Sequence, residues 1–448
     1  MTIRNYSTKA AAVAGAVGLL AMTGQVSAQS SDALIDKLVS KGILTVKEGN
    51  ELREESDKNF TSAFAVKTGM PDWISGYKFS GDFRGRFEMF SGDNNAAIDR
   101  DRYRYRLRAG VVITMKDDLE VGFRLASGDP SPGSGYGGNP NSASSTFQDN
   151  FTRKFVYIDA AYGKWTPLHN ADWTLATTIG KMDNPFRVSN MVFDYDLDPE
   201  GAALQAAYQI NNVHSLSFNS AAFVLDEEKG STRDPAMFGA QLIWDAKWTP
   251  KVETSLGVSA FNIVNSGMLT TANVPYVNQG NTRNSFGVLV NNYNPVVLGG
   301  SVIYKLDSFP FYPGIFPIKI GGEYMDNPAA GSNNTGYRGG ITFGKSGTKK
   351  TWDISYRYQE LQANAWYDQM EDDDNCAFYQ TAPSGGAVGY LGGTNIKGHL
   401  IIANYSFTDS MSFTFTCYLN ELIGNSSNGT SEPQSKTIHM MADVNWKF

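Results

Sequence analysis

Long apolar runs are scarce in this sequence. After a stretch from Ala10 to Met22, no segment reaches the roughly 20 apolar residues a membrane-crossing helix needs. Mean hydropathy is −0.31, mildly polar. Cysteine is almost absent, with two residues in 448, so no disulfide framework is available. Cys376 sits in an acidic loop and Cys417 on the apolar phase of a strand, and both are expected to be free thiols. Histidine is equally rare, with four residues. His169 and His214 fall at turns, His399 near a rim and His439 on a polar strand phase, none beside a Ser or Asp pattern that would activate a nucleophile. Catalysis has no candidate, and neither a metal nor another cofactor has a ligand set. The net charge of −7 is modest and no basic segment exists, so nucleic acid is not an expected partner.

What the chain does have is glycine and aromatics: 45 Gly, 26 Phe, 22 Tyr and 8 Trp, a composition suited to strands and tight turns. The amino terminus carries Arg4 and Lys9, then the short apolar stretch, then Val26-Ser27-Ala28. Basic residues, a brief apolar core and small residues make a cleavable secretory signal over 1–28. Residues 29–60 predict two short helices. Ala33, Leu34, Ile35, Leu38 and Val39 form the apolar side of the first, which Gly42 ends. Thr45-Val46-Lys47-Glu48 is a capping box that opens the second. This segment is expected in the periplasm, as an oligomerisation or cell-wall-facing element or as a linker, with 61–75 as a further linker.

From Gly76 the periodicity becomes two. Phe83, Phe87 and Met89 alternate with Arg84, Arg86 and Glu88, and Tyr103, Tyr105, Leu107 and Ala109 alternate with a run of arginines. Successive side chains of a strand point to opposite faces, so each segment has one apolar and one polar wall. About 16 such segments follow. Short connections, such as Asn211-Asn212 and Thr249-Pro250, alternate with long Gly/Ser/Asn-rich ones at 127–150, 264–294 and 361–396. The last strand, Ile438 to Phe448, keeps the alternation to its final aromatic. Bacterial outer-membrane barrels end in this way, with the last aromatic in the interface girdle, so Trp446 and Phe448 are the candidate assembly signal. The fold expected for 76–448 is all-β: a transmembrane antiparallel up-and-down β-barrel.

In such a barrel the polar phase faces a wet lumen. It carries Arg84, Arg86, Arg104, Arg106, Arg108 and Arg124, a basic ladder on the first three strands; Arg102 belongs to the rim. The connection 182–201 differs from the other long ones. It holds Phe186, Met191, Val192 and Phe193, then Asp194, Asp196, Asp198 and Glu200. Large apolar residues do not suit an exposed loop tip, so the loop is expected to fold inward and hold its acids over the pore. A calcium loop is a poor match, since Pro199 stands at the sixth position and Gln205 at the twelfth.

The chain resembles the 16-stranded bacterial general porins, and more narrowly a family of putative porins with a signal peptide, a short helical segment and a barrel. The resemblance rests on ALIDKLVSKGILTVKEGNEL, on FSGDFRGRFE with DRYRYRLRAG, and on GKMDNPF followed by DYDLDPEG. It implies an outer-membrane channel for passive diffusion of small hydrophilic solutes and ions, a constriction made by the third outer loop opposite the basic cluster, and a homotrimer. It also implies outer-membrane lipids and the barrel-assembly machinery as partners, with peptidoglycan or a periplasmic partner for 29–60. The alternatives are a substrate-selective channel and a structural barrel or adhesin that anchors the envelope.

Overall fold

The computed structural model describes residues 71–93, 99–129, 141–276, 278–378, 393–424 and 435–448. The expected signal peptide, the helical segment and residues 61–70 of the linker lie outside the described residues. The chain divides into two compact units, Met1–Tyr77 with Ile113–Lys116, and Lys78–Val112 with Asp117–Phe448. In the described part of the smaller unit, Lys116 N donates to Trp73 O at 2.9 Å and Thr114 Oγ1 to Gly76 O at 3.2 Å.

The strands in chain order are β1 (Ile74–Gly92), β2 (Arg100–Met115), β3 (Leu119–Gly128), β4 (Ser144–Thr146), β5 (Phe155–His169) and β6 (Trp173–Lys181). Next come β7 (Glu200–Gln209), β8 (His214–Val224), β9 (Ala236–Thr249), β10 (Val252–Val264), β11 (Val296–Leu306) and β12 (Phe316–Asp326). The last are β13 (Thr335–Gly344), β14 (Trp352–Leu361), β15 (Ile396–Ser406), β16 (Met411–Leu422) and β17 (Thr437–Lys447). All belong to one 17-stranded sheet. The three-residue β4 pairs with β2 at Arg104–Arg106, above the end of β3, so sixteen strands make the wall. Strand β17 pairs antiparallel with β1 from Asp82↔Lys447 to Gly92↔Thr437 and closes the sheet on itself. Closure leaves no open edge, which lipid would not tolerate.

The alternation seen in the sequence is the alternation of the wall. Phe83, Phe87, Phe123, Leu242, Leu256, Leu298, Ile320 and Ile354 are exposed on the outer face. Their neighbours on the other phase, among them Arg84, Gln241, Ser259, Ser355 and Asp443, are buried inside. The short turns are built alike. Asn170 Oδ1, Asn211 Oδ1, Thr249 Oγ1 and Thr408 Oγ1 each accept backbone N–H groups two and three residues ahead, the local bonding that favours Asn and Thr at turns. Strand β5 runs on to His169, so its turn to β6 is also short. The link after β11, 307–315, is long.

The terminal phenylalanine completes the seam. Phe448 N donates to Gly81 O at 3.0 Å and Gly81 N to Phe448 O at 2.8 Å. Its ring lies so close over Gly81 that a Cβ there would stand 2.5 Å from Phe448 Cζ. Phe79 and Phe448, and Phe83 and Trp446, then pair as aromatics with centroids 6.0 and 5.6 Å apart.

Candidate functional site

The connection between β6 and β7 turns into the barrel. Phe186, Met191, Val192 and Phe193 are buried, and they join a cluster with lumen-facing Phe223, Met237, Phe261 and Val297. Phe186 meets Phe261 edge-on at 5.1 Å, an arrangement worth about 0.5–1.5 kcal/mol beyond burial. Polar bonds tie the same loop to the far wall. Arg187 forks onto Asp245 at 2.7 and 3.1 Å, and Ser189 donates from N and Oγ to Glu323. Asn190 donates to Asp372 and accepts from Arg338.

A second of the long connections also enters the barrel. Residues 363–378, after β14, bury Trp366, Tyr367, Asp368, Cys376 and Phe378. Trp366 Nε1 donates to Val192 O at 2.6 Å, so one inward loop holds the other. Further along, Tyr418 OH on β16 donates to Asp372 at 2.9 Å, and Asn420 Nδ2 to Cys376 O at 3.0 Å. His439 Nδ1 contacts Asp374 O at 2.7 Å while Nε2 contacts Glu88 at 3.0 Å. Within the connection 264–294, Arg283 is buried and bonds Asp368 at 3.3 Å.

The basic ladder lies on the lumen phase, each member against an acid. Arg86 bonds Asp443 at 2.8 and 2.9 Å and Asp374 at 3.4 Å, and Arg84 reaches Asp443 at 3.8 Å. Arg102 and Arg104 both meet Glu88, while Arg106 and Arg108 share Asp82. Arg106 also meets Asp196 at 3.5 Å, and Arg124 holds Asp159, Asp183 and Asp198. Of the loop acids, then, Asp196 and Asp198 touch the ladder directly. Glu200 pairs with Lys181 at 3.2 Å instead. Asp194 faces neither; its carboxylate stands beside Asp372 and Asp373, with one oxygen of each within 4.8 Å of the others. Those three already accept the Asp196 N–H, the Asn190 amide with Tyr418 OH, and Tyr276 OH respectively, so protein donors use the space a cation would need.

These loop carboxyls respond to burial. It pushes Asp194 well above the ordinary range, with the charges of Asp373 and Asp372 adding to it. Burial also raises Asp198 to about 7, against the opposing charge of Arg124 and with smaller help from Asp159 and Asp183. Asp373 rises to about 7 and Asp372 to about 6, by burial first and then by Asp374. Asp196 is the exception. Burial acts to raise it, but Arg84, Arg106, Arg86 and Arg108 hold it below the usual value.

Two cavities flank the 182–199 loop. One of about 380 Å³, at the long-loop end, touches Asp129, Asp159, Asp196, Asp198 and Glu200, with Lys181 as its cation. The other, about 700 Å³, lies toward the short-turn end along β8–β14 and touches the loop at Arg187, Val188, Ser189 and Tyr195. Water-sized space therefore continues on both sides of a loop that crosses a closed barrel.

The family model described as "Putative porin" matches residues 92–286, from the end of β1 through the inward loop to the connection after β10. Over that stretch, 195 of the 448 residues, the chain is similar to this family of porins. Among solved structures it is similar to the Pseudomonas putida OprB structure at high pH, at 11% identity over 88% of this chain and 97% of that one, with a TM-score of 0.49. It is also similar to a triple mutant of the Rhodopseudomonas blastica porin, at 10% identity over 83% of this chain and all of that one, with a TM-score of 0.41. No curated protein matches the sequence.

Several residues of the barrel lumen were not singled out as candidates from the sequence. Asp82, Glu88 and Asp443 sit on the same polar phase as the arginines they bind, and that shared phase was the available signal. Trp366 and Tyr367, large aromatics ahead of the acidic run 371–374, carried the same sign of inward folding as Phe186 and Phe193.

Proposed function

We propose that this protein is a porin, a diffusion channel for small hydrophilic solutes and ions, with the loop 182–201 as its constriction. The observation that carries this reading is the loop's path: it crosses the lumen between two cavities, anchored by Phe186, Met191, Val192 and Phe193. Full burial of each such side chain is worth roughly 1.5–3 kcal/mol, and the bonds from Ser189 and Arg187 add to the hold on a loop that is costly to order. In this reading Arg106, Arg108 and Arg124 form the basic border of the path with Asp196 and Asp198 against them, and Arg84, Arg86 and Arg104 support it from behind. Single-channel conductance in planar bilayers tests the reading. Wild-type protein should give discrete conductance steps, and a barrel that inserts without conducting would be a structural anchor instead.

The same reading includes cleavage after Ala28, a homotrimer, the terminal Trp446 and Phe448 as the signal to the barrel-assembly machinery, and a cell-wall or periplasmic partner for 29–60. Mass spectrometry of the purified outer-membrane form should find Gln29 as its first residue. Native mass in detergent should be that of three barrels; a single-barrel mass under conditions that preserve known trimers would end the trimer proposal.

A further inference from the structure

The larger cavity has a feature the ladder does not. Its wall on β11–β14 is floored by glycine. Register places Ser301, Gly321, Gly340 and Arg357 in one row across the four strands. The row toward the short turns is Ile303, Lys319, Thr342 and Ser355, and the row toward the loops is Gly299, Glu323, Arg338 and Gln359. Rows on one face are about 7 Å apart and strands about 4.8 Å apart. Lys319, Arg338 and Arg357 therefore surround a patch of wall that has no side chain at its centre. The glycines are required there. A Cβ on Gly321 would come within 2.8 Å of Ser301 Cβ, and one on Gly340 within 2.7 Å of Arg357 Cγ.

The charges around this patch are unequally satisfied. The cavity is lined by Arg187, Lys247, Lys319, Arg338 and Arg357 against Asp245, Glu253 and Glu323, five cations to three carboxylates. Each carboxylate is engaged: Asp245 by Arg187, Glu253 by Lys305, and Glu323 by the N–H and hydroxyl of Ser189. Among the described residues, no carboxylate lies within ion-pair distance of Lys319, Arg338 or Arg357, and Arg338 donates only to the neutral Asn190 amide oxygen. The ladder is the reverse, with Arg84, Arg86, Arg104, Arg106, Arg108 and Arg124 each against an acid.

We propose that this glycine-floored patch is a binding site for a small oxyanion, a phosphate or a carboxylate. Arg357 and Arg338 present guanidinium forks that match such a group, Lys319 supplies a point charge, and the Ser301 and Thr342 hydroxyls supply neutral donors. The site deepens the channel reading by naming the solute class that pauses in the lumen, and it rests on that reading.

Conductance in KCl, with inorganic phosphate added in one arm and acetate in another, tests it. Phosphate should reduce the wild-type current in a saturable way, and acetate does the same if a single carboxylate is enough. Loss of one charged partner in R357Q should raise the half-blocking concentration about tenfold or more, and R357K should fall between. Lys319→Gln, at an exposed lumen position, should act in the same direction and covers the case in which R357Q fails to insert. Block that is absent in wild type, or unchanged in inserted R357Q or K319Q channels, overturns the site. Absence of any conductance in the wild type would instead remove the channel reading beneath it.

Discussion

Arg106 and Arg104 sit two residues apart on the same face of β2, and their surroundings give them different work. Arg104 is 4% exposed, packed under Ser142 and Ser144 and against Glu88, whereas Arg106 reaches Asp82 and the loop acid Asp196. Removing the Arg106 charge leaves two carboxylates beside the path less compensated. R106Q should therefore shift the reversal potential across a KCl gradient toward cations, and R104Q should shift it less while costing more barrel stability. Equal shifts in both variants would mean that burial does not separate them from the ion path. At the seam, Gly81 carries the other residue-scale prediction. A methyl group there meets Arg108 O at 2.4 Å as well as the Phe448 ring, so Gly81→Ala forces backbone to move. The variant should lose the heat-stable electrophoretic form of the barrel at a temperature several degrees lower than wild type. An unchanged transition would show that the carboxyl-terminal pairing is loose. The arginine row itself was plain in the sequence because alternation fixes which face a residue occupies. Its pairing was not, since which acid meets which arginine depends on register between strands as distant as β1 and β17.

The inward loop is an element whose fate the sequence disclosed through an incongruity, four large apolar side chains in a connection. The segment 363–378 disclosed less. Its aromatics are followed by Glu371-Asp372-Asp373-Asp374, and an acidic run is ordinarily solvated, so the polar character of the connection dominated. Only tertiary contacts make burial of that run tolerable: Asp372 is met by Tyr418 and Asn190, and Asp374 by Arg86. Two outcomes follow at this scale. Deletion of 186–196 should enlarge single-channel conductance while the barrel still assembles; unchanged conductance would place the loop away from the pore. Docking of the loops should also depend on pH. Asp198 and Asp373 carry folded-state values near 7 against an ordinary 3.8, so the docked form prefers them protonated. Their contribution is full below about 3.8 and fades as pH rises through 7. Limited proteolysis should cut the loops more slowly at pH 6 than at pH 8. The opposite order would mean that Arg124 and Arg104 govern these groups rather than burial.

On the scale of the whole barrel, charge is sorted along the lumen. Strand number, closure and the segregation of long from short connections followed from period-two patterning and turn residues, both of which are local. Sorting of charge along the axis was out of reach of sequence alone, because the chambers draw on loops and strands from all over the chain. The chamber at the long-loop end gathers Asp129, Asp159, Asp196, Asp198 and Glu200, and the chamber at the short-turn end gathers Lys247, Lys319, Arg338 and Arg357 around its neutralised pairs. A surplus of acids lining one chamber and of cations lining the other makes conduction depend on direction, since each mouth concentrates a different ion. Single channels inserted in one orientation should then pass unequal currents at opposite voltages. The Debye length falls from about 10 Å at 0.1 M salt to about 3 Å at 1 M, so the inequality should shrink across that range. Reducing the basic chamber by K319Q should weaken the rectification at low salt and leave currents at 1 M nearly as they were. A rectification that persists undiminished at 1 M would have to come from the loop moving under voltage, and the charge-sorting account would fail.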